Sequence, residues 1–189
     1  MSSYVITGGA DAFIADLAPH LRLPVHRVTV EPITSWVHIV PDGSATDSSA
    51  SIGAAVELAD ERLPEGDGAS FIPVVPVWGV IASPFDEAAE LAAAAARALL
   101  RVRIERWSQQ GRRINAVAYG ALDSRTLPGL RDPATLADRT PMHRLATITD
   151  LANAIDFLSS SAASYVTGSV LTLDGGWAAY SWFHPARDL

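Results

Sequence analysis

Histidines and carboxylates are the first groups in this sequence to consider for proton transfer near neutral pH, because it contains neither lysine nor cysteine. Thiol catalysis, thiolate metal sites and any mechanism that needs a lysine amine are therefore excluded. His38 and Asp42 could form an acid–base pair, although a half-buried structural histidine is the simpler interpretation. The remaining histidines show no metal-site spacing, and we expect no metal: His20, His26, His143 and His184.

Two other groups of side chains could belong to a site. Asp86 and Glu90 are four residues apart, which suits a carboxylate pair and equally suits the solvated first turn of a helix, where negative charge favours the dipole. Trp78 and Tyr119 could line a ligand pocket, or they could fill a cavity. A remodelled pocket around His38, Trp78 and Tyr119 is therefore the catalytic alternative.

The stretch SPFDEAAELAAAAARALLRVRIERW, residues 83–107, predicts one helix that is rich in alanine, the best helix former. Gly111 follows as a plausible C-cap. Methyl groups carry no acid–base chemistry, but small side chains let another backbone approach closely. The helix therefore suits packing better than catalysis.

Around this helix, apolar runs alternate with helical patterns, which predicts an α/β domain with a mostly parallel sheet. Strands are expected within 4–9, 24–32, 35–41, 114–120 and 166–177, and in 69–83, broken by Pro73 and Pro76. Helices are expected within 10–21, 52–63 and 147–160, the last capped by Thr147 or Thr149. The polar tract 42–51 and residues 121–146 are expected to be loops.

The length, charge and composition limit the number of domains, the kinds of partner and the location that can be expected. A chain of 189 residues fits a single domain, residues 1–189. The net charge of -7, with one short basic stretch at RVRIER, argues against nucleic acid or an anionic membrane as a partner. No signal peptide or membrane-spanning run is evident, so a cytoplasmic location is expected.

The C-terminal stretch from Thr140 to Trp177 carries a family pattern. It contains S-x-V-T-G at Ser164–Gly168 and D-G-G at Asp174–Gly176, and RRINAVAYG precedes it at 112–120. Together with TGG at Thr7–Gly9, these words resemble short-chain dehydrogenases/reductases, as a truncated and degenerate member. The resemblance implies a Rossmann-like, mostly parallel sheet flanked by helices, trimmed here in its N-terminal half.

The family resemblance also implies hydride transfer to or from a nicotinamide cofactor, with a serine, a tyrosine and a lysine as the acid–base residues. The lysine lowers the pKa of the tyrosine so that the phenol can exchange a proton. Here the corresponding positions are Pro76, Ala89 and Ala93. The alanine face therefore lies where the catalytic pair would stand.

The cofactor positions implied by the resemblance are also altered. Thr7, Gly8 and Gly9 remain from the first turn, and Ser124 is the one later hydroxyl expected beside a cofactor. Ala12 and Ile14 replace two glycines at which the backbone would approach the pyrophosphate. No cofactor is expected on this chain.

The spacing of the early strands is unusual for the family. Residues 24–32 and 35–41 are too close in sequence to be parallel neighbours, so an antiparallel hairpin, or one strand fewer, is expected. Arg97 falls one helical turn too late to replace the lysine, as arginine does in dehalogenase-like relatives of this fold.

These patterns lead to two functional hypotheses. The first is a non-catalytic subunit that assembles with itself or with an active dehydrogenase of the family, through the 86–107 helix and the C-terminal strand and tail. Trp177, Tyr180, Trp182 and Phe183 give that tail the composition of an interface. The alternative is a divergent enzyme of this fold, either NAD(P)-dependent or a cofactor-independent lyase or isomerase.

Overall fold

The computed structural model describes residues 4–8, 15, 17–21, 25–26, 34–39, 45–66, 68–77, 87–123 and 133–179. The strands are β1 (Tyr4–Gly8), β2 (Val25–His26), β3 (Ser35–Ile39), β4 (Ala69–Pro76), β5 (Arg112–Ile114), β6 (Ala116–Tyr119) and β7 (Val170–Leu173). The helices are α1 (Ala45–Arg62), α2 (Glu87–Gln109), α3 (Pro133–Arg139) and α4 (Ile148–Ser159), with short 3-10 helices at Ala18–His20 and Ser161–Ala163.

The described strands form one sheet in the order β2-β1-β3-β4-β6-β7, with β5 also paired to β4. Every pairing between these strands is parallel. The α/β class and the Rossmann-like sheet expected from the sequence are therefore confirmed. On the outer side of β1, the described residues supply only the two-residue strand β2.

The strands within 24–32 and 35–41 are not neighbours in the sheet, as expected, but the antiparallel hairpin that was one of the two expected arrangements is wrong. Val25 and Ser35 both pair with Tyr4, so β2 and β3 lie on opposite sides of β1 and run parallel to it. His26 pairs with Val5 and Ser35 pairs with Tyr4, so the two residues are separated across β1 by two strand spacings, about 10 Å.

Pro73 does not break its strand, contrary to expectation, because β4 runs through to Pro76. Pro73 instead removes a hydrogen bond between β4 and the neighbouring strand. The Asn115 amide donates to Phe71 O at 3.1 Å, and the next ladder bond would run from residue 73 N–H to the Asn115 carbonyl. Proline has no N–H. The pairing is therefore interrupted at Asn115, while the register of β5 and β6 against β4 stays the same.

Two expected loops contain helices. Helix α1 begins at Ala45, inside the polar tract that predicted a loop, and α3 lies within the region 121–146. Serine, threonine and aspartate are favoured in turns but also at helix starts, so composition alone did not separate the two cases. The alanine-rich helix was predicted correctly in its described part, ending at Gln109 with Gly111 at a φ of 70°.

Helix α4 shows which of the two predicted caps is used. Thr147 is the N-cap: its hydroxyl accepts from the Asp150 amide at 3.1 Å, and the Asp150 carboxylate accepts from the Thr147 amide at 2.8 Å. Thr149 instead contacts the His20 ring at 3.0 Å and does not cap the helix. This reciprocal capping box fixes the start of the helix.

Apolar side chains cover the two faces of the sheet with separate cores. On one face, Val5, Trp36 and Val75 pack against α1 and α2. On the other, Val37, Val74 and Tyr119 pack against α4. Trp177 belongs to this second core and is buried, so it does not contribute to an exposed tail surface; Tyr180, Trp182 and Phe183 lie outside the described residues.

Arg112 and Arg113 attach one helix to each face. Successive side chains of a strand point to opposite faces. Arg112 therefore reaches the C-terminal end of α1, where it donates to Asp60 O and Pro64 O at 3.1 Å. Arg113 reaches the end of α4 and donates to Leu158 O at 2.6 Å. Both guanidiniums bind carbonyls that a helix terminus leaves without a partner.

In the described part of the chain, no helix has the length and apolar composition required to span a bilayer.

Candidate functional site

The carboxyl ends of the parallel strands define the edge at which doubly wound sheets bind ligands. At this edge the described chain presents Gly8 of β1, Ile39 of β3, Pro76 of β4 and Tyr119 of β6. Three of these residues, Ile39, Pro76 and Tyr119, are buried. The described part of the edge therefore carries apolar and aromatic side chains.

Pro76 ends β4 opposite Tyr119 of β6 and carries no hydroxyl. Ala93 lies in α2 with 3% of its surface exposed, and Ala89 lies one turn before it in the same helix. Neither proline nor alanine has a proton to exchange. The positions matched to serine, tyrosine and lysine thus carry no acid–base group.

A cleft opens beside two of these positions, Pro76 and Ala93, between α2 and the strands β4, β6 and β7. The cavity is very small, about 10 Å³, roughly the room that a single water molecule needs. Its walls are mainly apolar, and Arg97 is its charged member. The sequence had directed attention to Arg97 only as an unsuitable replacement for the lysine; no sequence signal indicated that it borders a cleft.

His38 and Tyr119 are not brought together. Val37 and Ile39 face the α4 core, so His38 between them faces α1, where its Nε2 lies 3.1 Å from Ser51 Oγ. Tyr119 is packed in the α4 core on the opposite face. Burial lowers the pKa of His38 to about 4.

His38 is thus a buried, neutral imidazole near neutral pH, in the position of a structural histidine. Asp42 and Trp78, its predicted companions, lie outside the described residues. Asp86 also lies outside them, while Glu90 is a half-buried residue near the start of α2.

The first turn of the cofactor motif is described only at its beginning. Thr7 and Gly8 are the last residues of β1, paired with His38 and Ile39 of β3. Gly9, Ala12, Ile14 and Ser124 lie outside the described residues. The structure therefore describes only the strand that leads into this turn, and the described edge residues add no charged or amine group to it.

Asn115 ties the V-T-G segment to the sheet. Its Nδ2 donates to Val166 O at 2.8 Å, and its Oδ1 accepts from the Ser169 amide at 3.1 Å. Thr167 Oγ1 accepts from the Ile114 amide at 3.2 Å, and the Gly168 amide donates to Ile114 O at 2.7 Å. These four bonds fix the loop that leads into β7, so Asn115 has a structural role.

The D-G-G segment forms a second fixed turn, after β7. Asp174 accepts from the Gly176 amide at 2.9 Å and from the Ala178 amide at 2.7 Å. A Cβ at Gly120 would lie 3.0 Å from the Asp174 Cα, so the end of β6 approaches this turn closely. Both family words at the C-terminal end are therefore explained by backbone hydrogen bonding and packing.

A cluster of charges joins the two helices on the α1/α2 face. Asp60 of α1 accepts from Arg103 and Arg112 at 3.3 and 3.2 Å and pairs with Arg106 at 3.0 Å. The cluster connects α1, α2 and β5, which gives it a structural role. Among the described residues, no group of three or more histidine, aspartate and glutamate side chains is placed to hold a metal ion.

The comparisons with known proteins agree with this fold. A family model described as Enoyl-(Acyl carrier protein) reductase matches residues 42–178. The cis-4-hydroxycyclohexanecarboxylate dehydrogenase of Sinomonas cyclohexanicum is 37% identical over 116 residues, which cover 60% of this chain and 46% of that protein. An uncharacterized oxidoreductase of Bacillus subtilis is 31% identical over 110 residues, 57% of this chain and 46% of its own length. The matches thus span less than half of either relative.

Two solved structures show the same architecture. A short-chain dehydrogenase/reductase from Brucella melitensis aligns with a TM-score of 0.71 at 15% identity, covering 95% of this chain and 97% of that chain. An angucycline C-6 ketoreductase with bound NADP aligns with a TM-score of 0.66 at 19% identity, covering 82% and 66%. Together with the family match over most of its length, the parallel sheet and the V-T-G and D-G-G turns, this places the chain in the short-chain dehydrogenase/reductase family.

Proposed function

We propose that this chain is a non-catalytic member of the short-chain dehydrogenase/reductase family that works as a subunit, assembled with a second copy or with an active relative. One combination of features carries the proposal. The positions matched to the acid–base residues hold Pro76, Ala89 and Ala93, while the hydrogen bonds of Asn115 to the V-T-G segment and the turn at Asp174 are present.

The cofactor is part of the same proposal. A nicotinamide cofactor would supply or accept the hydride, and a family member would hold its pyrophosphate at the turn after β1. Ala12 and Ile14 in the sequence of that turn, and the apolar edge at Ile39, Pro76 and Tyr119, argue that this chain does not bind it. Nucleotide would then be bound by the partner chain.

Helix α2 supports the assembly part of the proposal, because it has two apolar faces. One face is buried on the sheet through Ala93, Ala96 and Leu100. The opposite face exposes Leu91 and Val102, which are 47% and 74% accessible. An apolar stripe on the outer side of a helix favours contact with another chain over contact with water.

The pattern of this stripe is self-complementary. An antiparallel pairing of two α2 helices, centred between Ala96 and Arg97, places Leu91 opposite Val102 and Ala95 opposite Ala98. It also brings Glu90 of one helix near Arg101 of the other, since both residues are on the same flank of the helix. A partner with the same helix, either a second copy or a relative of this fold, therefore fits the stripe best.

The edge strand β7 offers a second surface. It is the last strand of the described sheet on that side, and all four of its residues are half-buried. An open strand edge is a ready site for pairing with another chain. We propose that α2 and β7 together form the assembly surface, as expected from the sequence for 86–107 and the C-terminal strand.

The mass of the assembled protein tests this proposal. Val102→Arg places a charge within the stripe, where Val102 would meet Leu91 of the partner helix, and Asn153→Arg places the same charge on the exposed face of α4 as a control. Light scattering after size-exclusion chromatography should show wild type and Asn153→Arg well above the 20.0 kDa of one chain, and Val102→Arg at or near it. A monomeric wild type that recovers no partner from its host would contradict the proposal.

The second candidate is a divergent enzyme of this fold, and the NADP in a neighbouring ketoreductase structure is the observation that favours it. Its NAD(P)-dependent form requires saturable binding of NADH or NADPH by this chain, and titration of each nucleotide into the purified protein tests that form. Its cofactor-independent form, a lyase or isomerase, requires no nucleotide binding.

A further inference from the structure

The exposed face of α2 repeats at the spacing of a coiled-coil seam. Leu91, Ala95, Ala98 and Val102 follow one another at intervals of four, three and four residues, on the side of the helix that faces away from the sheet. A spacing that averages about 3.5 residues keeps one stripe against a partner helix over several turns. The small residues at the centre of the stripe let the two backbones approach closely.

This stripe is symmetric about its own midpoint, which falls just after Ala96. Leu91 and Val102 lie equally far from the midpoint. Ala95 and Ala98 do so as well. When a second α2 runs antiparallel, each residue therefore meets its counterpart, in the same way on both chains. A patch that is complementary to itself is what a twofold interface between identical chains requires, whereas a mixed assembly needs no such symmetry within one chain.

The charges on one flank of the stripe follow the same symmetry. Glu90 and Arg101 are eleven residues apart, so they project from the same side of α2 at a separation of about three turns. Within one helix they are about 16 Å apart along the axis, too far to pair with each other. Across the antiparallel pairing they are offset by only two residues, about 3 Å, which their side chains can span. A twofold dimer therefore has two pairs between Glu90 and Arg101.

Both side chains are able to form such a pair. Arg101 is exposed and has no hydrogen bond or ion pair to a described residue of its own chain. Glu90 is half-buried and interacts within its own chain. Because a carboxylate accepts from several donors, Glu90 can accept from Arg101 of a second copy as well.

We infer that the partner at α2 is a second copy of this chain, selected by two reciprocal ion pairs between Glu90 and Arg101. This inference rests on the proposed function and narrows its two possible partners to one. The apolar stripe supplies the contact area. The charged flank sets the antiparallel direction and the identity of the partner, because a wrong partner leaves like charges or unpaired charges opposite one another.

Two charge reversals test the pairing. Glu90→Arg places two arginines opposite each other at both pairs of the dimer, and Arg101→Glu places two carboxylates there. We expect either variant to self-associate about tenfold more weakly than wild type, since two attractive exposed pairs become repulsive. An equimolar mixture of the two variants restores both pairs in a mixed dimer, so it should assemble like wild type. Native mass spectrometry distinguishes the mixed dimer from both homodimers by mass.

A matched pair of control variants makes the same changes of charge elsewhere. Asp138→Arg and Arg139→Glu lie on exposed positions of α3, and both should self-associate like wild type. Circular dichroism verifies that each variant folds. If a reversal at α2 does not fold, the wild-type dimer still decides, because salt screens exposed ion pairs and its Kd should rise between about 0.05 and 0.5 M NaCl.

The inference is overturned if either reversal self-associates like wild type, if the mixture does not recover assembly, or if salt does not weaken the wild-type dimer. It is also overturned if the wild type assembles only with a different chain from its host, an outcome that supports the proposed function. A wild type that stays monomeric and recovers no partner overturns the proposed function as well, so the two failures are distinguishable.

Discussion

Arg112 should be one of the most important polar residues for stability. It is 6% exposed, and its guanidinium donates to the carbonyls of Asp60, Leu63 and Pro64 at the end of α1. It also donates to the Asp60 carboxylate at 3.2 Å and lies 5.8 Å from the ring centroid of Trp107. The substitution Arg112→Met keeps an unbranched apolar stem and removes every one of these donors.

The loss in the free energy of unfolding follows from the hydrogen-bond acceptors that Arg112→Met leaves without a donor. Each of three carbonyls loses a charged donor, at about 1 kcal/mol or more per group, and Asp60 loses one of its three arginines. The total is about 3–5 kcal/mol, in the range for removing one member of a buried charged network. For a domain of this size the melting temperature should fall by roughly 10 °C.

Urea unfolding followed by far-UV circular dichroism measures this free energy. The matched control is Arg101→Met, an exposed arginine of α2 without an ion pair to a described residue, which should stay within about 0.5 kcal/mol of wild type. Hydrogen exchange adds a local test, since the Leu63 amide, bonded to Ala59 O, should exchange faster in Arg112→Met. A loss below about 1 kcal/mol, equal to that of the control, would refute the assigned role of Arg112.

Two further predictions concern pH. Because burial lowers the pKa of His38 to about 4 from 6.5, the unfolded chain binds more protons in this range, so stability should fall by on the order of 3 kcal/mol as pH drops from 6.5 to 4. His38→Gln should remove most of that dependence in urea unfolding. Hydrogen bonds from Arg144 and Thr147 lower the pKa of Asp150 to about 2, so its contribution is present above about pH 4 and is lost as pH falls toward 2. Asp150→Asn should therefore cost about 1 kcal/mol at pH 7, since Asp150 is partly exposed, and clearly less near pH 2, where about half of the carboxyl groups are protonated.

The contrary outcomes are simple to recognise. If the stability of wild type and of His38→Gln falls with the same slope between pH 6.5 and 4, then His38 does not take up a proton on unfolding in that range. An Asp150→Asn deficit as large at pH 2 as at pH 7 would show that the charge of Asp150 is not what stabilises the capping box at Thr147.

The sequence predicted the parts of the fold that local patterns determine. The alanine run predicted α2 and its glycine C-cap, the threonines predicted the start of α4 at Thr147 or Thr149, and the C-terminal words predicted β7 and its turn. In each case the residues that specify the element are close in sequence, so propensity and capping suffice.

The parts that it missed depend on partners distant in sequence. The placement of β2 and β3 on either side of β1 is fixed by their pairing with Tyr4, which no local pattern encodes. The interruption at Asn115 arises from Pro73 on another strand. Local propensity therefore identified the strands but not their neighbours.

In the candidate site, too, some features could be predicted from the sequence and others could not. The absence of acid–base groups at Pro76 and Ala93 could be read directly from residue identity. That His38 and Tyr119 face opposite sides of the sheet required the register of β3, β4 and β6, since a shift of one residue reverses the face. The cleft at Arg97 required the distance between α2 and β6, which only packing determines.

The central claim is that this chain assembles as a subunit and carries no nicotinamide cofactor itself. Native mass spectrometry of the untagged protein from its own host, with NADH and NADPH added separately, tests it most directly. The account predicts an oligomer in which the 20.0 kDa chain carries no nucleotide, with cofactor only on a partner chain of different mass if one is present. An assembly or a monomer with one nucleotide on each 20.0 kDa chain would contradict it.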